Sequence, residues 1–439
     1  MTFIVNKATS KAVAVVGAGW AGCAAAVEAT RLGHRVTVFE ASRTPGGRAR
    51  RLDVSHEGQS IPLDNGQHIL IGAYSETLKL MADVGVDVAR SLHRTPLTML
   101  FTDGTGLKLP RLPAPLDALI GIALAQGWTW ADKLSLLKTA AGWQLHKFQC
   151  PPQQSVADVC SGMSPRIMAT LIEPLCVSAL NTPADRASGQ VFLRVLKDSL
   201  FAVSGGSNLL LPRVDLSALL PDAAFTWLKA QGGQTALGVR VQAITQDDNK
   251  RWQLFSAGDA PLGQFDSVML ACPPVEAARL VRSSTLPTSD WLTLADSLQY
   301  EAIATVYALA PGYRLAEPML ALASSATYPA QFVFDRGQLG GPSGLLAFVV
   351  SASQQSSAWI TSQVTAQAKT QLGVSDLTVL QTVVEKRATF ACTPGLQRPS
   401  QQVTLASPAL LACGDYVIGP YPATLEGAVR SGLQAARML

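Results

Sequence analysis

The hydrophobic and polar positions near the start of the chain predict a strand, a helix and a second strand. "AVAVV" (12–16) is a continuous apolar run, as expected for a strand buried on both faces. "AGCAAAVEATRLG" (21–33) is rich in alanine and ends at Gly33, which predicts a helix with its C-terminal stop. "RVTVFE" (35–40) reads as a second strand. Together these segments predict one βαβ unit of a parallel sheet.

The remaining pattern predicts both helical and strand-rich regions. Residues 75–148 and 165–215 are mainly helical, 234–272 alternates like a strand meander, 299–309 and 345–351 are strands, 354–372 is a helix, "LLACGD" (410–415) is a strand entering a turn, and a last helix runs from about Thr424 to Leu439. No internal repeat or low-complexity segment interrupts this order.

The segment 130–148 has an apolar stripe at helical spacing, with polar residues opposite. The stripe contains Trp130, Leu134, Leu137, Ala141, Leu145 and Phe148, and the opposite face contains Asp132, Ser135, Thr139 and His146. Such a stripe most often packs into a core. The alternative is a surface helix that dips into a membrane and guards the access route of a lipid.

Composition favours a large apolar interior. Only 15% of the 439 residues are charged, against a usual share of about 25%, and the mean hydropathy is +0.22. Such a chain can enclose an apolar ligand, although an ordinary alanine- and leucine-rich core explains the composition equally well. The net charge of +4 comes without a dense basic block, which argues against nucleic acid as a partner.

The cysteines and the apolar segments indicate a cytoplasmic protein. The seven cysteines are scattered and form no C-x-x-C pair, so we expect reduced thiols and no metal site. "MTFIVNKATSK" is not a secretory signal, and the longest apolar stretch (114–125) contains Asp117 and is too short to span a bilayer. We therefore expect a soluble protein or one that contacts the inner face of a membrane peripherally.

A glycine fingerprint follows the first strand directly. In "GAGWAG", Gly17 permits a tight turn, Gly19 lets a pyrophosphate approach the backbone, and Gly22 lets the helix pack closely on the strand. Glu40 ends the second strand, where its carboxylate can bind the hydroxyls of an adenosine ribose. This frame predicts a dinucleotide site but does not choose between NAD and FAD.

Two further turns favour the longer cofactor, FAD. "PGGRAR" (45–50) supplies a second glycine pair followed by Arg48. Near the other end of the chain, a strand stops at Gly414 and Asp415, and a helix begins near Thr424. An aspartate at such a turn can hold ribityl or phosphate oxygens, and a helix N-terminus can stabilise negative charge on a reduced flavin.

These segments resemble the superfamily of flavin-containing amine oxidases, protoporphyrinogen oxidases and carotenoid desaturases. The resemblance implies an α/β fold: a Rossmann-type, doubly wound FAD domain built from both chain ends, with an inserted mixed-sheet and helical substrate domain. It implies segments 1–75, 231–280 and 401–439 for the FAD domain, and 76–230 (mainly helical) and 281–400 (sheet) for the substrate domain. The FAD contacts that it implies are Gly17, Gly19, Gly22, Glu40, Gly47, Arg48, Val241, Gly414, Asp415, Thr424 and Leu425.

The same resemblance assigns a role to "DNGQH" (64–68), which superfamily members place against the flavin ring. It implies that Gly66 lies where a side chain would meet the ring, with Gln67 and His68 nearby. A purely structural role for His68, as a hydrogen-bond donor to the scaffold or the cofactor, is the alternative to catalysis.

The middle of the chain is similar to the hydroxysqualene dehydroxylase family. The similar stretches are "EPLCVSALNTPADRASGQVFLRVLKDSLF" (173–201) and "GGSNLLLPRVDLSALLPDAA" (205–224). The resemblance implies that hydroxysqualene and reduced FAD give squalene, water and oxidised FAD, for hopanoid or sterol synthesis. Such an enzyme must enclose a C30 chain, hold its carbinol carbon over the flavin, and assist the departure of hydroxide.

Candidates for the proton donor are His68 and Glu173, the latter in an apolar setting that would raise its pKa. Arg194 and Asp198, at i and i+4, read as an ion pair, and Asp215 is as well explained as a turn or cap residue. A carotenoid-type desaturase acting oxidatively on a polyene is the competing enzyme, and a non-catalytic flavoprotein is the competing class. The sequence contains no second dinucleotide fingerprint, so it names no electron donor, and it favours no oligomeric state.

Overall fold

The computed structural model describes residues 10–113, 115–202, 204–407 and 409–439. The strands are β1 (Ala12–Val16), β2 (Arg35–Glu40), β3 (Arg51–His56), β4 (Gln59–Asp64), β5 (Leu70–Ile71), β6 (Leu92–Thr95), β7 (Thr98–Leu100), β8 (Gly106–Lys108), β9 (Leu209–Pro212), β10 (Gln234–Leu237), β11 (Ala243–Gln246), β12 (Trp252–Phe255), β13 (Pro261–Phe265), β14 (Ser267–Leu270), β15 (Tyr300–Leu309), β16 (Met319–Ala321), β17 (Phe332–Asp335), β18 (Leu345–Ser351), β19 (Thr378–Phe390) and β20 (Leu410–Ala412). The α-helices are α1 (Trp20–Arg31), α2 (Ser75–Asp83), α3 (Val88–Ser91), α4 (Leu116–Leu124), α5 (Trp130–Leu145), α6 (Val156–Val159), α7 (Pro165–Ile167), α8 (Glu173–Leu180), α9 (Gly189–Lys197), α10 (Leu216–Leu219), α11 (Pro221–Ala230), α12 (Pro274–Ser283), α13 (Ser289–Asp296), α14 (Ser357–Leu372) and α15 (Leu425–Arg437).

A five-stranded parallel sheet confirms the predicted Rossmann-type domain. Its strand order is β10-β2-β1-β14-β20, so strands from both ends of the chain lie side by side. The apolar side chains of β1 are buried on both faces of the sheet, and α1 covers one of these faces. The continuous hydrophobicity of the strand predicts this burial. Helix α15 packs on α1 so closely that a Cβ atom at Gly432 would lie 2.2 Å from the Ala21 carbonyl oxygen.

A second five-stranded sheet, with strand order β16-β17-β18-β15-β19, forms the sheet part of the inserted region. All its pairings are antiparallel. One face packs against α14 through Val306, Phe348 and Ile360, each buried. The other face carries Phe332, Phe334 and Val349 toward the interior of the molecule. The sheet therefore separates a conventional core from an internal space.

Three regions of the structure differ from the sequence prediction. The region 75–148 contains the short strands β6, β7 and β8 between its helices, because β6 pairs with the distant strand β9. Of the predicted meander 234–272, only β11, β12 and β13 form an antiparallel unit, and β10 and β14 belong to the parallel sheet. The final helix ends at Arg437. Short apolar runs do not reveal their partners, which explains these differences.

The expectation that the stripe of 130–148 packs into a core is wrong for most of its members. Trp130, Leu134 and Leu145 are 71%, 62% and 83% exposed. The opposite, polar face is the one that packs on the protein: Asp132 is buried, and Ser135 Oγ accepts a hydrogen bond from Ser164 N (3.1 Å). The stripe of α5 is thus divided: Trp130, Leu134 and Leu145 are exposed, whereas Leu137, Ala141 and Phe148 line an internal cavity.

Among the described residues, no helix combines the length and the apolar character that a membrane crossing requires. All seven cysteines are free thiols, and Cys150 and Cys272 are the two that are partly exposed.

Candidate active site

A cavity of about 890 Å³ runs from the parallel sheet into the inserted helices and the second sheet. This is near the upper end of the usual range for small-molecule sites, which is roughly 300–1,000 Å³. Nearly all residues predicted from the sequence lie in its wall. They are Gly17, Gly19, Glu40, Gly47, Arg48, Gly66, Gln67, His68, Val241, Gly414, Asp415, Thr424 and Leu425.

The two glycine turns meet at one end of this cavity. Gly17 has a φ of +111°, and a Cβ there would lie 2.5 Å from the Ala271 carbonyl oxygen. Gly47 has a φ of +60°, and a Cβ there would lie 3.1 Å from Gly19 Cα, so the close approach of the two turns requires a glycine at position 47. Gly22 is not part of the cavity wall formed by the described residues; a Cβ there would lie 2.0 Å from Gly17 O. That is the helix packing role that the fingerprint predicts.

Glu40 lies at the end of β2, where the sequence expects a ribose-binding carboxylate. Its Oε2 accepts a hydrogen bond from Ala18 N (2.7 Å) and its Oε1 accepts one from Ser42 N (2.7 Å). The backbone therefore fixes the orientation of the carboxylate in the cavity wall. Each oxygen retains lone pairs that a ribose hydroxyl could use.

Arg48 and Asp415 bring the two chain ends together. Arg48 Nη2 donates to Asp415 Oδ1 at 2.6 Å, and Asp415 is 8% exposed as a side chain. Although desolvation opposes it, Asp415 raises the pKa of Arg48, so the guanidinium stays charged. A short, nearly buried pair of this kind holds its two partners in one geometry. Both side chains line the cavity.

The segment "DNGQH" follows β4 into the cavity wall. Asn65 fixes the turn, because its Oδ1 accepts from Arg50 N (2.9 Å) and its Nδ2 donates to Arg48 O (2.7 Å). Gln67 Oε1 is buried without a hydrogen-bond partner in the described structure. Burial lowers the pKa of His68 to about 4, the charge of Arg48 adds to the effect, and a hydrogen bond to the Arg48 backbone opposes it. The imidazole is therefore neutral near pH 7.

The N-terminus of α15 faces the cavity beside these residues. Thr424 caps the helix, since its Oγ1 accepts a hydrogen bond from Gly427 N at 2.9 Å. The next residue but one, Glu426, is fully buried and accepts hydrogen bonds from Glu76 N (3.1 Å) and Thr77 N (2.9 Å) at the start of α2. Sequence reasoning missed this glutamate, whose partners lie 350 and 349 positions away. It fixes the position of α15 and hence of Thr424.

A tyrosine near that helix start was also missed. Tyr421 lines the cavity and donates its hydroxyl to Asp198 Oδ2 at 2.7 Å. The same carboxylate oxygen accepts from Arg194 Nε at 2.5 Å, which confirms the predicted ion pair on α9. Burial, with Asp198 next, raises the pKa of Tyr421 to about 12. The guanidiniums of Arg194 and Arg430 lie 5.9 and 5.1 Å from the centre of its ring.

Three other residues that the sequence analysis named have the following contacts in the structure. Val241 lines the cavity and is buried, but it lies between β10 and β11 and not within a strand. Asp215 is the N-cap of α10 and accepts from Ala218 N (2.9 Å), which is the cap role that the sequence offers. Glu173 is absent from the described cavity wall; its Oε2 accepts from Ala184 N at 3.0 Å. Its predicted catalytic role thus finds no support, although burial raises its pKa.

The cavity beyond the glycine turns is apolar. Helical residues such as Leu137, Ile172 and Phe192 line one side, and Ile303 and Phe334 from the second sheet line the other. A long hydrocarbon can lie in such a space without leaving polar groups unpaired.

The described residues fit FAD at the polar end. The cradle at Gly19 and Gly47 would be filled by side chains, and Arg48, Asp415 and the start of α15 follow it along the cavity. Gln67 Oε1 and the hydroxyl of Tyr416, both buried without partners in the described structure, are available to a polar ligand. An extended cofactor that carries phosphates, a ribityl chain and a polar ring matches this order of groups.

Comparison with known proteins agrees with this geometry. The profile of the family described as "Flavin containing amine oxidoreductase" matches residues 20–439. Hydroxysqualene dehydroxylase of Rhodopseudomonas palustris is 28% identical over 98% of this chain and 98% of its own length. The enzyme of the same name from Zymomonas mobilis is 26% identical over 96% of this chain and 97% of its own. A zeta-carotene desaturase of Zea mays is 39% identical over only 17% of this chain.

Solved structures share the fold. An oxidoreductase from Methanosarcina mazei superposes with a TM-score of 0.72 at 17% identity, covering 96% of this chain and 99% of that one. A putrescine oxidase variant superposes with a TM-score of 0.69 at 16% identity and covers 98% of each chain. These similarities concern architecture, since identity is too low to compare the sites residue by residue.

Proposed function

The chain belongs to the flavin-containing amine oxidoreductase family and is an FAD-dependent oxidoreductase, and from that premise we propose that it converts hydroxysqualene to squalene. The product would serve hopanoid or sterol synthesis. The observation that carries the proposal is the single cavity in which a polar, glycine-lined end continues into an apolar chamber. Similarity to hydroxysqualene dehydroxylases over almost the full length supports the choice of substrate.

The proposed cofactor contacts follow the cavity in order. Gly17, Gly19 and Gly47 would accept the pyrophosphate, and Glu40 would hold the adenosine ribose. Val241 would lie against the adenine. In the same way, Arg48, Gly414 and Asp415 would hold the middle of the cofactor, and Gly66, Gln67, Thr424 and Leu425 would surround its ring. Reduced FAD, when bound, supplies the hydride.

The reaction that the residues must support replaces a hydroxyl group by hydrogen. The carbinol carbon of hydroxysqualene gains a hydride, its C–O bond breaks, and the departing hydroxide takes up a proton and leaves as water. Apolar walls at Leu137 and Phe334 would hold the chain and exclude water from the electron-poor carbon. The protein must therefore supply one proton donor in a largely apolar chamber.

Tyr421 is the proposed donor of that proton: its hydroxyl, which donates to Asp198 Oδ2 at 2.7 Å in this structure, would turn to the leaving oxygen. His68 is a poor choice, because with a pKa of about 4 its imidazolium is present in only about one molecule in a thousand at pH 7. Tyr421 stays protonated up to a pKa of about 12, yet it is more acidic than water, whose pKa is about 15.7. The guanidiniums of Arg194 and Arg430 beside its ring would stabilise the phenolate until solvent returns the proton.

Loss of the Tyr421 hydroxyl should slow the reaction without releasing the cofactor. We expect Tyr421→Phe to lower kcat by about a hundredfold, the lower end of the usual contribution of a general acid, with little change in KM. Tyr313→Phe is the matched control, since that hydroxyl donates to Leu372 O (3.0 Å) and Tyr313 does not line the cavity. Equal kcat values for the two variants would exclude Tyr421 as the donor.

An anaerobic assay tests the substrate directly. Purified protein with chemically reduced FAD and hydroxysqualene is incubated, and the extract is analysed for squalene by gas chromatography with mass spectrometry. The expected result is squalene formed with reduced FAD and none with oxidised FAD. Conversion of a polyene by the oxidised protein, without any squalene, would move the function to the carotenoid-type desaturases, which the partial similarity to zeta-carotene desaturase makes the second candidate.

The proposal includes the location of the enzyme in the cell. An enzyme with a C30 substrate would work in the cytoplasm at the inner face of a membrane. Supporting this is the exposed part of the apolar stripe of α5, with Leu145 83% exposed.

A further inference from the structure

Helices α4 and α5 together expose an apolar surface, here called the α4–α5 patch. On α4 the exposed residues lie at i, i+3, i+4 and i+8, and on α5 at i, i+4 and i+15, so each helix presents one face. The patch consists of Leu116 (50% exposed), Leu119 (49%), Ile120 (38%), Leu124 (67%), Trp130 (71%), Leu134 (62%) and Leu145 (83%).

The two helices hold this surface in a fixed orientation. Thr129 and Asp132 form a capping box at the start of α5, and Asp132 also lies 3.8 Å from the Arg166 guanidinium. Lys133 is buried and donates its Nζ to Ala123 O at 2.6 Å, near the C-terminal end of α4. Asp132, Lys133 and Ser135 of α5 are therefore used for internal contacts, and Trp130, Leu134 and Leu145 are left exposed.

The cavity opens at this patch. Pro115, Leu119, Ala141 and Gln144 belong to α4, α5 or their immediate flanks; each lines the cavity and has an exposed side chain, and Leu119 is also a member of the patch. Neighbouring residues of the same helices, such as Ile122, continue the lining inward. The apolar surface is thus continuous with the apolar chamber.

The charges around the patch are positive. Arg111, Lys138 and Lys147 are exposed, whereas the two carboxylates of this segment, Asp117 and Asp132, are partly or fully buried. Asp132 is used in its capping box, and Asp117 Oδ1 accepts from Ala118 N at 2.8 Å. A cationic rim around an exposed apolar face complements a bilayer with anionic headgroups.

We propose that the α4–α5 patch docks on an anionic lipid bilayer, so that the cavity opens into the hydrocarbon layer. The patch residues enter the acyl region, and Lys138 and Lys147 contact the headgroups. A C30 hydrocarbon then passes from bilayer to cavity without exposing its apolar surface to water. The proposal deepens the proposed function by naming the surface from which an apolar substrate is taken.

Vesicle flotation tests the proposal without substrate or turnover. The full-length FAD-loaded protein is mixed with vesicles of phosphatidylcholine alone or of phosphatidylcholine with phosphatidylglycerol, and partition coefficients are measured. We expect binding to the anionic vesicles that weakens with salt. We also expect Leu145→Ser to reduce partitioning about tenfold and Trp130→Ser with Leu145→Ser about a hundredfold.

A matched control is available in the same chain. Leu405 is 88% exposed outside the patch, so Leu405→Ser removes an equally exposed leucine and should leave partitioning unchanged. Trp130→Phe keeps the apolar character; it should retain binding but lose the part of the fluorescence blue shift that arises from Trp130.

Three results would overturn the proposal: no binding to either vesicle, equal loss for Leu405→Ser and Leu145→Ser, or a dimer in sedimentation that Leu145→Ser dissociates. The last would make the patch an interface between two copies. Failure here leaves the proposed function testable, because hydroxysqualene can be supplied in detergent micelles. Conversely, vesicle binding by a protein that makes no squalene would leave the patch assigned and the substrate wrong.

Discussion

Asp415 and Arg48 form a contact between the two chain ends, in the wall that we propose holds FAD. Replacing Asp415 with Asn keeps the shape of the side chain and removes its charge, so that the 2.6 Å ion pair with Arg48 becomes at most a neutral-acceptor hydrogen bond. Only the Asp415 side of this pair is buried (8% exposed, against 34% for Arg48), so losing the charge costs less than it would in a fully buried pair but more than in an exposed one. We therefore expect Asp415→Asn to lower FAD affinity at least tenfold, measured by reconstitution of apoprotein and the ratio of flavin to protein absorbance.

Asp83→Asn is the control for this prediction. It removes a pair of similar length (3.0 Å, with Arg31) whose side chains are each 31% exposed. Partly exposed pairs contribute little, so FAD affinity should not change. Equal FAD affinity in Asp415→Asn and the wild-type protein would show that Asp415 does not hold the cofactor.

His68 should make the stability of the protein depend on pH. Its pKa in the folded state is about 4, below the value of about 6.5 in an unfolded chain. Between these values the unfolded state binds more protons, so stability is complete above about pH 6.5 and falls as the pH drops toward 4. The difference between the two pKa values corresponds to at most about 3.4 kcal/mol of folding free energy.

Melting temperatures at pH 7 and pH 5 measure this effect. The drop between the two should be smaller for His68→Gln than for the wild-type protein. His146→Gln, at an exposed position, should behave as the wild-type protein does. A drop that His68→Gln leaves unchanged would mean that other groups cause the acid sensitivity.

At the scale of elements, two glycines inside helices allow a matched comparison. A Cβ at Gly22 of α1 would lie 2.0 Å from Gly17 O, whereas a Cβ at Gly142 of α5 has no atom within 4 Å. Gly22→Ala should therefore force α1 away from β1 and abolish FAD retention. Gly142→Ala should stabilise the protein by roughly 0.5–1 kcal/mol, because alanine loses less backbone entropy in a helix. Thermal unfolding and flavin content check both, and FAD retention by Gly22→Ala would contradict the packing argument.

The sequence predicts the βαβ unit because its pattern is local and continuous. It does not predict the orientation of α5, since periodicity locates an apolar stripe but not what covers it. The hydrogen bond between Tyr421 and Asp198 was not predicted either, because 223 positions separate the two residues in the sequence. The FAD frame was found because glycines at fixed spacing report backbone geometry directly, and the substrate came from resemblance alone.

At the scale of the whole molecule, the cavity joins two parts of the fold, so that FAD binding and substrate binding should be separable. Ala140 lines the apolar chamber on α5. We expect Ala140→Trp to fill part of the chamber and lower kcat/KM for hydroxysqualene more than tenfold, with FAD content unchanged. Ala131→Trp, at an exposed position of the same helix, is the control. Unchanged kcat/KM in Ala140→Trp would mean that the substrate does not pass this wall.

The parallel sheet has a consequence for the order of events during translation. Strand β20 pairs with β14, and α15 packs on α1, so the cofactor site joins residues made first with residues made last in this chain. A ribosome that has delivered only the first four hundred residues holds a nascent chain with the Gly17 turn but without Asp415 or the start of α15. With the proposed contacts, FAD capture follows the synthesis of residues 410–437. Until that moment the edge of β14 is unpaired, and an unpaired strand edge can associate with other chains.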